Sequence, residues 1–497
     1  MIELHFPWLE LAIATPLFGG LWIARQRDPE SAHRHSLICS GLALVFAVGA
    51  WLDFGTLRTF EAHDRWSLGW HAAHVEPFVI DELSAPLLPM AALLYFLTSV
   101  ATLRSKMRRF SFASLLISEA ILLATFSCRH PWGIIALLAV GVFPPIVELS
   151  ARRRSVRVFA IHMGVCIAML VTGWLAVEQT AAGAAPPMWA IALLLAAVLI
   201  RSGIVPAHCW MTDLFEHATL GTALLFVTPM AGVYAAVRLL LPIAPDWALR
   251  SIALISVFTA VYAAGMALVQ RDARRFYCYL LLSHSSLVLV GLEVATPIGL
   301  TGALCLWISV GLSLTGFGLT LRSIEARKGR VLLSEFHGLY EHMPGLAAFF
   351  LITGLASVGF PGTIGFVGSE LVVEGAVDIY PLVGAAVVLA AALNGIAVLW
   401  AYLRVFTGMR YVPTISLQSR PLERVAIIVL AGLIFGGGMF PQPGLSSRHH
   451  AASEIIQARR EALRVMQSDV PQPRLDIAEL FSQNQQPSPP PSSNRRR

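Results

Sequence analysis

The feature that most constrains this chain is a series of long apolar runs along most of its length. A helix needs about 20 apolar residues to cross the roughly 30 Å hydrocarbon layer of a membrane, and about fourteen runs of this kind are present. They begin near Pro7, Ser36, Leu83, Phe110, Pro131, Arg157, Pro187, Leu220, Trp247, Phe276, Pro297, Pro344, Tyr380 and Leu422. Only 13% of the 497 residues are charged, against about 25% in soluble domains. The sequence therefore predicts an all-α polytopic membrane protein and excludes a soluble enzyme, a disordered protein and a nucleic-acid binder.

Basic residues are concentrated in every second loop between these runs. The loops after the odd-numbered spans contain Arg25, Arg27 and Arg34; Arg104, Lys106, Arg108 and Arg109; Arg152, Arg153 and Arg154; Arg271, Arg274 and Arg275; Arg322, Arg327, Lys328 and Arg330; and Arg404, Arg410, Arg420 and Arg424. Loops rich in Lys and Arg remain in the cytoplasm. We therefore predict a multi-pass protein of the cell membrane with cytoplasmic basic loops, and with the N-terminus and the loop 53–81 outside.

The distribution of polar residues divides the chain into four regions. Residues 1–80 contain the first two spans and the external loop, residues 81–415 form the membrane core, and residues 416–442 contain the last span. Residues 443–497 are polar and, from Pro471 onward, rich in Pro, Ser and Gln, a composition typical of disorder. Within this tail, residues 452–465 have the pattern of a short amphipathic helix.

Glycine and proline interrupt the seventh and twelfth spans. Gly203 and Pro206 follow Arg201 in the seventh, whereas Pro361, Gly362 and Gly365 lie in the middle of the twelfth. Proline removes a helical hydrogen bond, and backbone freed in this way is tolerated in a membrane only beside protein or water. Two such spans in corresponding positions indicate an internal repeat and an ion path near the membrane midplane. Two ordinary kinked helices are the alternative interpretation.

Three motifs around these spans carry a family resemblance. They lie at Arg201–Asp213, with Pro206, His208 and Trp210; at Val269–His284, with Gln270, Asp272 and Ser283; and at Gly338–Glu370, with Pro344, Pro361 and Gly365. In their order they resemble the antiporter-like membrane subunits of proton-pumping NADH:quinone oxidoreductase, complex I. The same fold serves multi-subunit cation/proton antiporters, membrane-bound hydrogenases and inorganic-carbon uptake complexes. The resemblance implies about fourteen helices that include two inverted five-helix repeats, spans four to eight and nine to thirteen.

The resemblance also implies a row of ionisable residues halfway across the membrane, and this chain departs from it. Arg201 replaces the family's lysine, and Ala139 stands where its glutamate is expected. The eighth and eleventh spans contain no Lys, His, Asp or Glu. Arginine stays protonated in proteins, so Arg201 can hold a carboxylate or water but cannot load a proton.

The candidate proton path consists of the ionisable residues that remain: Arg201, Glu370, His284, Glu119, Glu148 and His208. Glu119 is the first choice for a carboxylate partner of Arg201, and Glu148 is the second. A structural role is the alternative for two of them. Glu148 could neutralise the arginines at 152–154, and His284 could bond to backbone near a helix end.

Metal and cofactor sites are not expected in this chain. Its six cysteines are scattered without the spacing of metal ligands, and no glycine-rich phosphate loop follows a strand. We predict a membrane subunit that conducts protons through a degenerate relay, and this conduction is coupled to electron transfer in partner subunits. Whether the subunit counts as an enzyme is left open. Its partners would be other membrane-arm subunits, lipid, protons and water, without nucleic acid. The alternatives are a subunit of a cation/proton antiporter or inorganic-carbon uptake complex, and a non-pumping scaffold.

Overall fold

The computed structural model describes residues 2–57, 59–64, 78–180, 184–293, 296–409 and 421–468. The helices of the first half are α1 Trp8–Ile23, α2 Pro29–Leu57, α3 Leu87–Val100, α4 Phe112–Ser127, α5 Pro131–Val140, α6 Phe143–Ala151, α7 Arg157–Glu178, α8 Met188–Arg201, α9 Cys209–His217, α10 Leu220–Val227 and α11 Ala231–Ala235. Those of the second half are α12 Asp246–Val269, α13 Ala273–Glu293, α14 Pro297–Lys328, α15 Pro344–Val358, α16 Ile364–Ile379, α17 Pro381–Phe406, α18 Pro421–Met439 and α19 Gln442–Ser468. A 3₁₀ turn covers Arg104–Arg109, and a π turn covers Ala236–Leu240.

The apolar runs form helices because a helix satisfies its backbone hydrogen bonds internally, as a membrane requires. Within the described ranges, nine helical segments are long and apolar enough to cross a membrane, and five shorter apolar helices accompany them. Two of the nine are composite: α5 and α6 together, and α10 and α11 with the π turn. The predicted helical membrane architecture is therefore confirmed.

The centre of the helix bundle is built around α14, which packs against α3, α13, α15, α16 and α18. Its contact with α16 is close because glycines face it: a Cβ on Gly302 would lie 2.7 Å from the Val372 nitrogen, and one on Gly368 2.8 Å from the Leu306 nitrogen. Small residues let helices approach in this way inside membranes. Most side chains of α13 and α14 are buried by their neighbours, whereas fewer than half of those in α2, α7 and α17 are buried.

One end of the bundle, which we call the sheet end, has a three-stranded sheet of β1 Ile2–Glu3, β2 Glu61–His63 and β3 Val79–Asp81. β2 is parallel to β1 and antiparallel to β3. This small sheet corrects the all-α prediction. It forms because β2 pairs its backbone both with the N-terminal strand β1 and with β3.

The amphipathic helix α19 lies at the sheet end and corrects the predicted tail. It begins at Gln442 and ends at Ser468, beyond both limits of the predicted helix 452–465. Two buried arginines fix it to loops: Arg448 donates to the Leu83 carbonyl at 3.2 Å, and Arg459 to the Ala244 carbonyl at 2.6 Å. The polar composition of this region does not predict these hydrogen bonds, because they join α19 to loops that are distant in the sequence. The segment from Pro471 onward lies outside the described residues.

The opposite end, which we call the arginine end, contains the described parts of the loops that follow the odd-numbered spans. Arg274 forms a salt bridge with Glu325 at 2.8 Å, and Arg327 pairs with Glu423. Further contacts join loops 101–111, 218–219, 270–272 and 329–343 here. The loops therefore divide between the two ends as the alternation of basic residues predicted.

Candidate functional site

The first interruption separates α8 from α9 at the position that the sequence predicted. Gly203 adopts φ +73°, a left-handed conformation that favours glycine, and the backbone turns through Pro206 before α9 begins. The freed backbone groups find side-chain partners. Trp210 Nε1 donates to the Ile200 carbonyl at 2.8 Å, and the Val205 nitrogen donates to Thr259 Oγ1 at 3.3 Å. Protein thus receives the open backbone, as a membrane interior requires.

Arg201 ends α8 and points into the bundle, where it is 9% exposed. Its guanidinium carbon lies 4.2 Å from the centre of the Phe226 ring, a cation–π contact. Within the described residues Arg201 forms no salt bridge, and its Nε has no hydrogen-bond partner. A buried cation without a carboxylate is costly. Arg201 is therefore a fixed charge that needs water or an anionic group nearby.

Glu119 is the buried carboxyl group next to this region. It is fully buried on α4, and neither of its oxygens has a hydrogen-bond partner among the described residues. Tyr95 on α3 lies beside this region, with its hydroxyl 2.9 Å from the Oγ of Ser118, the residue before Glu119. Among the described residues, Glu119 and Arg201 do not form a salt bridge with each other.

Glu148 is bound elsewhere, so it is not a partner of Arg201. One oxygen accepts from the Thr219 nitrogen at 2.7 Å, and the other from the Thr222 hydroxyl. Thr219 is the residue before α10, and a carboxylate stabilises the free N–H groups at a helix N-terminus. Among the described residues, Glu148 forms no salt bridge with the arginines at 152–154, because both of its oxygens bind the cap of α10.

The second interruption separates α15 from α16 and contains two left-handed glycines. Gly359 adopts φ +89° and Gly362 φ +86°, with Pro361 between them. Gly365, the second residue of α16, is in close contact with its surroundings, because a Cβ there would lie 2.5 Å from the Ala356 carbonyl and 2.7 Å from Ser309 Oγ. All five residues predicted to break the helices, Gly203, Pro206, Pro361, Gly362 and Gly365, lie in or at the edge of the two interruptions.

His284 lies beside the second interruption. It is buried on α13, with Nδ1 2.7 Å from the Leu280 carbonyl, and its ring also contacts the Ser357 carbonyl at the end of α15. The predicted bonding to backbone is thus present, but His284 lies in the middle of α13 and not near a helix end. Neutral imidazole can donate from only one nitrogen, so a protonated ring would satisfy both carbonyls.

Glu370 and His208 lie away from the buried groups. Glu370 is on the exposed face of α16, together with Glu374 and Asp378, one and two turns further along. His208 is half-buried in the first interruption, where its ring lies 5.9 Å from Tyr262. Within this chain, the structure therefore does not bring Glu370 together with Arg201 or His284.

Sequence reasoning missed the uncharged polar groups between the interruptions. Asn394 on α17 donates to Ser283 Oγ at 2.8 Å, and Ser283 donates to the Ala260 carbonyl at 2.8 Å. Several buried atoms have no partner among the described residues: Ser202 Oγ, Thr228 Oγ1, Ser256 Oγ, Ser309 Oγ, Thr315 Oγ1 and Asn394 Oδ1. Buried polar groups usually bind protein or ordered water. The sequence offers one indication of these groups, the amide side chain of Asn394 inside the apolar run 381–406.

Comparison with known proteins relates this arrangement to a family. Residues 157–394 match the family described as NADH:quinone oxidoreductase/Mrp antiporter, TM. NADH-quinone oxidoreductase subunit M of Mycobacterium tuberculosis is 28% identical over 259 residues, which cover 50% of this chain and 46% of that protein. The aligned region thus spans about half the length of the first curated relatives.

Solved structures share the fold over a larger part of the chain. A chain of respiratory complex I from Thermus thermophilus superposes with a TM-score of 0.80 at 22% identity, covering 91% of this chain and 99% of that chain. A chain of the Mrp complex from Dietzia sp. gives a TM-score of 0.77 at 17% identity, covering 92% and 99%. The resemblance that the three motifs indicated, to the antiporter-like membrane subunits of complex I, is therefore confirmed.

Proposed function

We propose that this chain is an antiporter-like membrane-arm subunit of a proton-translocating, complex I-like assembly, in which its own proton relay is degenerate. The observation that carries the proposal is the pair of interrupted helices, each with a buried ionisable group beside it: Arg201 at the first and His284 at the second. In the proposed topology the chain crosses the membrane fourteen times, with spans four to eight and nine to thirteen as inverted repeats. The corresponding positions of the two interruptions support it.

In this proposal the arginine end faces the cytoplasm of a cell membrane, and the sheet end with α19 faces outside. The positive-inside rule supports this orientation. The exposed apolar faces of α2, α7 and α17 then contact lipid or neighbouring subunits. The chain itself holds no redox cofactor in this account, and electron transfer takes place in the partners.

Proton movement would begin at Glu119, which can load and release a proton, whereas Arg201 acts only as a fixed charge. Between Arg201 and His284, waters would have to bridge the hydroxyl groups of Ser202, Thr259 and Ser283. No Lys, His, Asp or Glu is available on the eighth or eleventh span to load the proton on the way. Glu370 faces outward, so it would exchange protons with a neighbour or lipid surface rather than with His284. We therefore expect weak conduction through this chain.

A multi-subunit cation/proton antiporter is the second candidate assembly, with an inorganic-carbon uptake complex beside it. The observation in its favour is that the Mrp chain shares the fold almost as closely as the complex I chain. A non-pumping scaffold is the form of the first candidate in which this chain conducts no protons. A chain without a relay can still hold its neighbouring subunits together.

Purification from native membranes separates these candidates. The full chain, tagged at its N-terminus, is extracted in mild detergent and its co-purifying subunits are identified. We expect subunits with flavin or iron–sulfur centres and quinone reductase activity in the same native gel band. Co-purification with other membrane subunits only, without redox activity, would reject the first candidate in favour of the antiporter. A monodisperse chain without partners would reject both.

A further inference from the structure

A cavity opens at the arginine end, away from the two interruptions. Its volume is about 150 Å³, several times the ~30 Å³ that one water takes in the liquid. The 3₁₀ turn contributes Lys106, the end of α14 contributes Arg322, and the loop after α6 contributes Arg152. Leu103, Phe110 and Leu220 form an apolar part of the wall. The cavity is therefore basic on one side and apolar on another.

The charges around this cavity do not balance. Its wall has four cationic residues and two carboxylates, Glu325 and Glu423. Glu325 forms a salt bridge with Arg274, whose Nε lies 2.9 Å from both of its oxygens, and Glu423 forms a salt bridge with Arg327. Thr219 also lines the wall, but the carboxylate behind it, Glu148, caps α10. Among the described residues, Lys106, Arg152 and Arg322 are therefore left without a salt bridge.

Among the described residues, the hydrogen bonds of Arg322 go to neutral groups, while the carboxylates of Glu148 and Glu423 act on it only through space. One terminal nitrogen donates to the Thr98 carbonyl at 3.0 Å, and the other donates to Thr102 Oγ1 at 2.9 Å. The guanidinium carbon lies 4.7 Å from the centre of the Phe110 ring. These contacts orient the guanidinium without neutralising its charge, so an anion in the cavity would meet a prepared donor group.

We propose that this cavity binds a phosphate group, through Arg322, Lys106 and Arg152. Phosphate oxygens accept charge-assisted hydrogen bonds from guanidinium and ammonium groups. In the proposed orientation, on which this inference rests, the cavity lies at the cytoplasmic surface, where basic pockets between membrane helices are suited to the head groups of acidic lipids. The apolar wall at Leu103 and Leu220 would accept the start of an acyl chain. The same phosphate chemistry also fits free inorganic phosphate, and the experiment distinguishes the two sources.

The test is equilibrium binding to the full chain, delipidated in mild detergent, by native mass spectrometry. The probes are dioleoyl-phosphatidylglycerol, dioleoyl-phosphatidylcholine and inorganic phosphate. The variants are Lys106→Gln and Arg322→Gln, with Arg250→Gln as the matched control, because Arg250 is an exposed arginine on the first turns of α12 at the sheet end. Lys106 lies in a surface turn, so its variant remains informative if Arg322→Gln fails to fold.

We expect Lys106→Gln and Arg322→Gln each to weaken binding about tenfold, the effect of losing one charge-assisted hydrogen bond. Arg250→Gln should bind as the unmodified chain does. If phosphatidylglycerol shows this pattern and inorganic phosphate does not, the ligand is an acidic lipid; the reverse identifies free phosphate. Equal binding of phosphatidylglycerol and phosphatidylcholine without any effect of phosphate, or equal binding by the variants and the control, would overturn the proposal.

Discussion

The two interrupted helices differ in where they place their charged side chains. At the first, Arg201 points into the bundle and is covered by Phe226, with Glu119 buried nearby. At the second, the buried group is His284 from another helix, whereas the carboxylates of α16 face outward. A similar break in the backbone thus produces an enclosed charge in one half of the chain and an outward-facing one in the other. A continuous path between the halves depends on neutral groups and water.

The difference follows from how tightly each interruption is packed. The glycine face of α16 lies against α14, so the opposite face of α16 must point outward, and this face carries Glu370. At the first interruption, Gly232 on α11 leaves room for the Arg201 side chain, because a Cβ there would lie 3.2 Å from Arg201 Cγ. Helix packing, rather than the interruption itself, therefore decides which charges can reach the interior.

The largest effect is expected from crowding the second interruption. In Gly365→Ala the new Cβ would lie 2.5 Å from the Ala356 carbonyl, and overpacking costs about 1–3 kcal/mol, here near the upper limit because backbone cannot move aside. The measurement is the thermal midpoint of the purified protein in detergent. Gly345→Ala is the matched control, because its Cβ would meet open space. Equal midpoints for the two variants would contradict the tight packing of α16.

A smaller effect is expected at the first interruption. Gly203→Ala forces a non-glycine residue into φ +73°, which costs about 1–2 kcal/mol, but the nearest atom is the flexible Met211 sulfur at 3.2 Å. The same thermal midpoint gives the comparison, with Gly164→Ala in α7 as a control in an open helical position. A larger loss for Gly203→Ala than for Gly365→Ala would reverse the comparison between the two interruptions.

The neutral groups between the interruptions should contribute less. Breaking the bond between Asn394 and Ser283 is expected to cost about 0.6 kcal/mol, the average for such bonds between membrane helices. The measurement is a double-mutant cycle of Asn394→Leu and Ser283→Ala in denaturant unfolding. Strictly additive effects would show that the two side chains do not interact, and this link between α13 and α17 would have to be abandoned.

The smallest effect is expected for Glu370. Because its side chain is exposed, Glu370→Gln should change the free energy of unfolding of the isolated chain by less than about 0.5 kcal/mol. The same substitution in the assembled complex tests whether a neighbour contacts this face. A loss of unfolding free energy in the isolated chain as large as that of Gly203→Ala would mean that Glu370 is packed inside the bundle. The two interrupted helices would then not differ in where they place their charged side chains.

Much of this architecture could be predicted because it depends on local sequence. Apolar runs of sufficient length must form helices in a membrane, and Gly203 and Pro361 mark the interruptions by backbone chemistry alone. The position of Glu370 depends on which face of α16 packs against α14. Its signal was present, since Gly365, Gly368 and Gly375 share one face while Glu370, Glu374 and Asp378 share the other. A charged residue in an apolar run was instead interpreted as facing inward.

Other features could not be predicted because they depend on distant parts of the chain. The sheet pairs the N-terminal strand β1 with β2, which in turn pairs with β3, and α19 is held by carbonyls that Arg448 and Arg459 reach across the fold. The cap that Glu148 forms on α10 joins residues 71 positions apart. Hydroxyl groups such as Ser283 carry no charge and are common in membrane helices, so their alignment appears only in three dimensions.

The measurement that tests the central claim most directly is proton flux through the full chain in reconstituted vesicles under an imposed pH gradient. The unmodified chain should conduct weakly, because Arg201 cannot release a proton. Arg201→Lys with Ala139→Glu should raise the flux, because lysine and glutamate can both load and release a proton, whereas Arg201→Lys with Ala139→Gln, the matched neutral variant, should raise it less. Robust flux in the unmodified chain that Glu370→Gln abolishes would contradict the account, because the outward-facing carboxylate would then belong to a working relay.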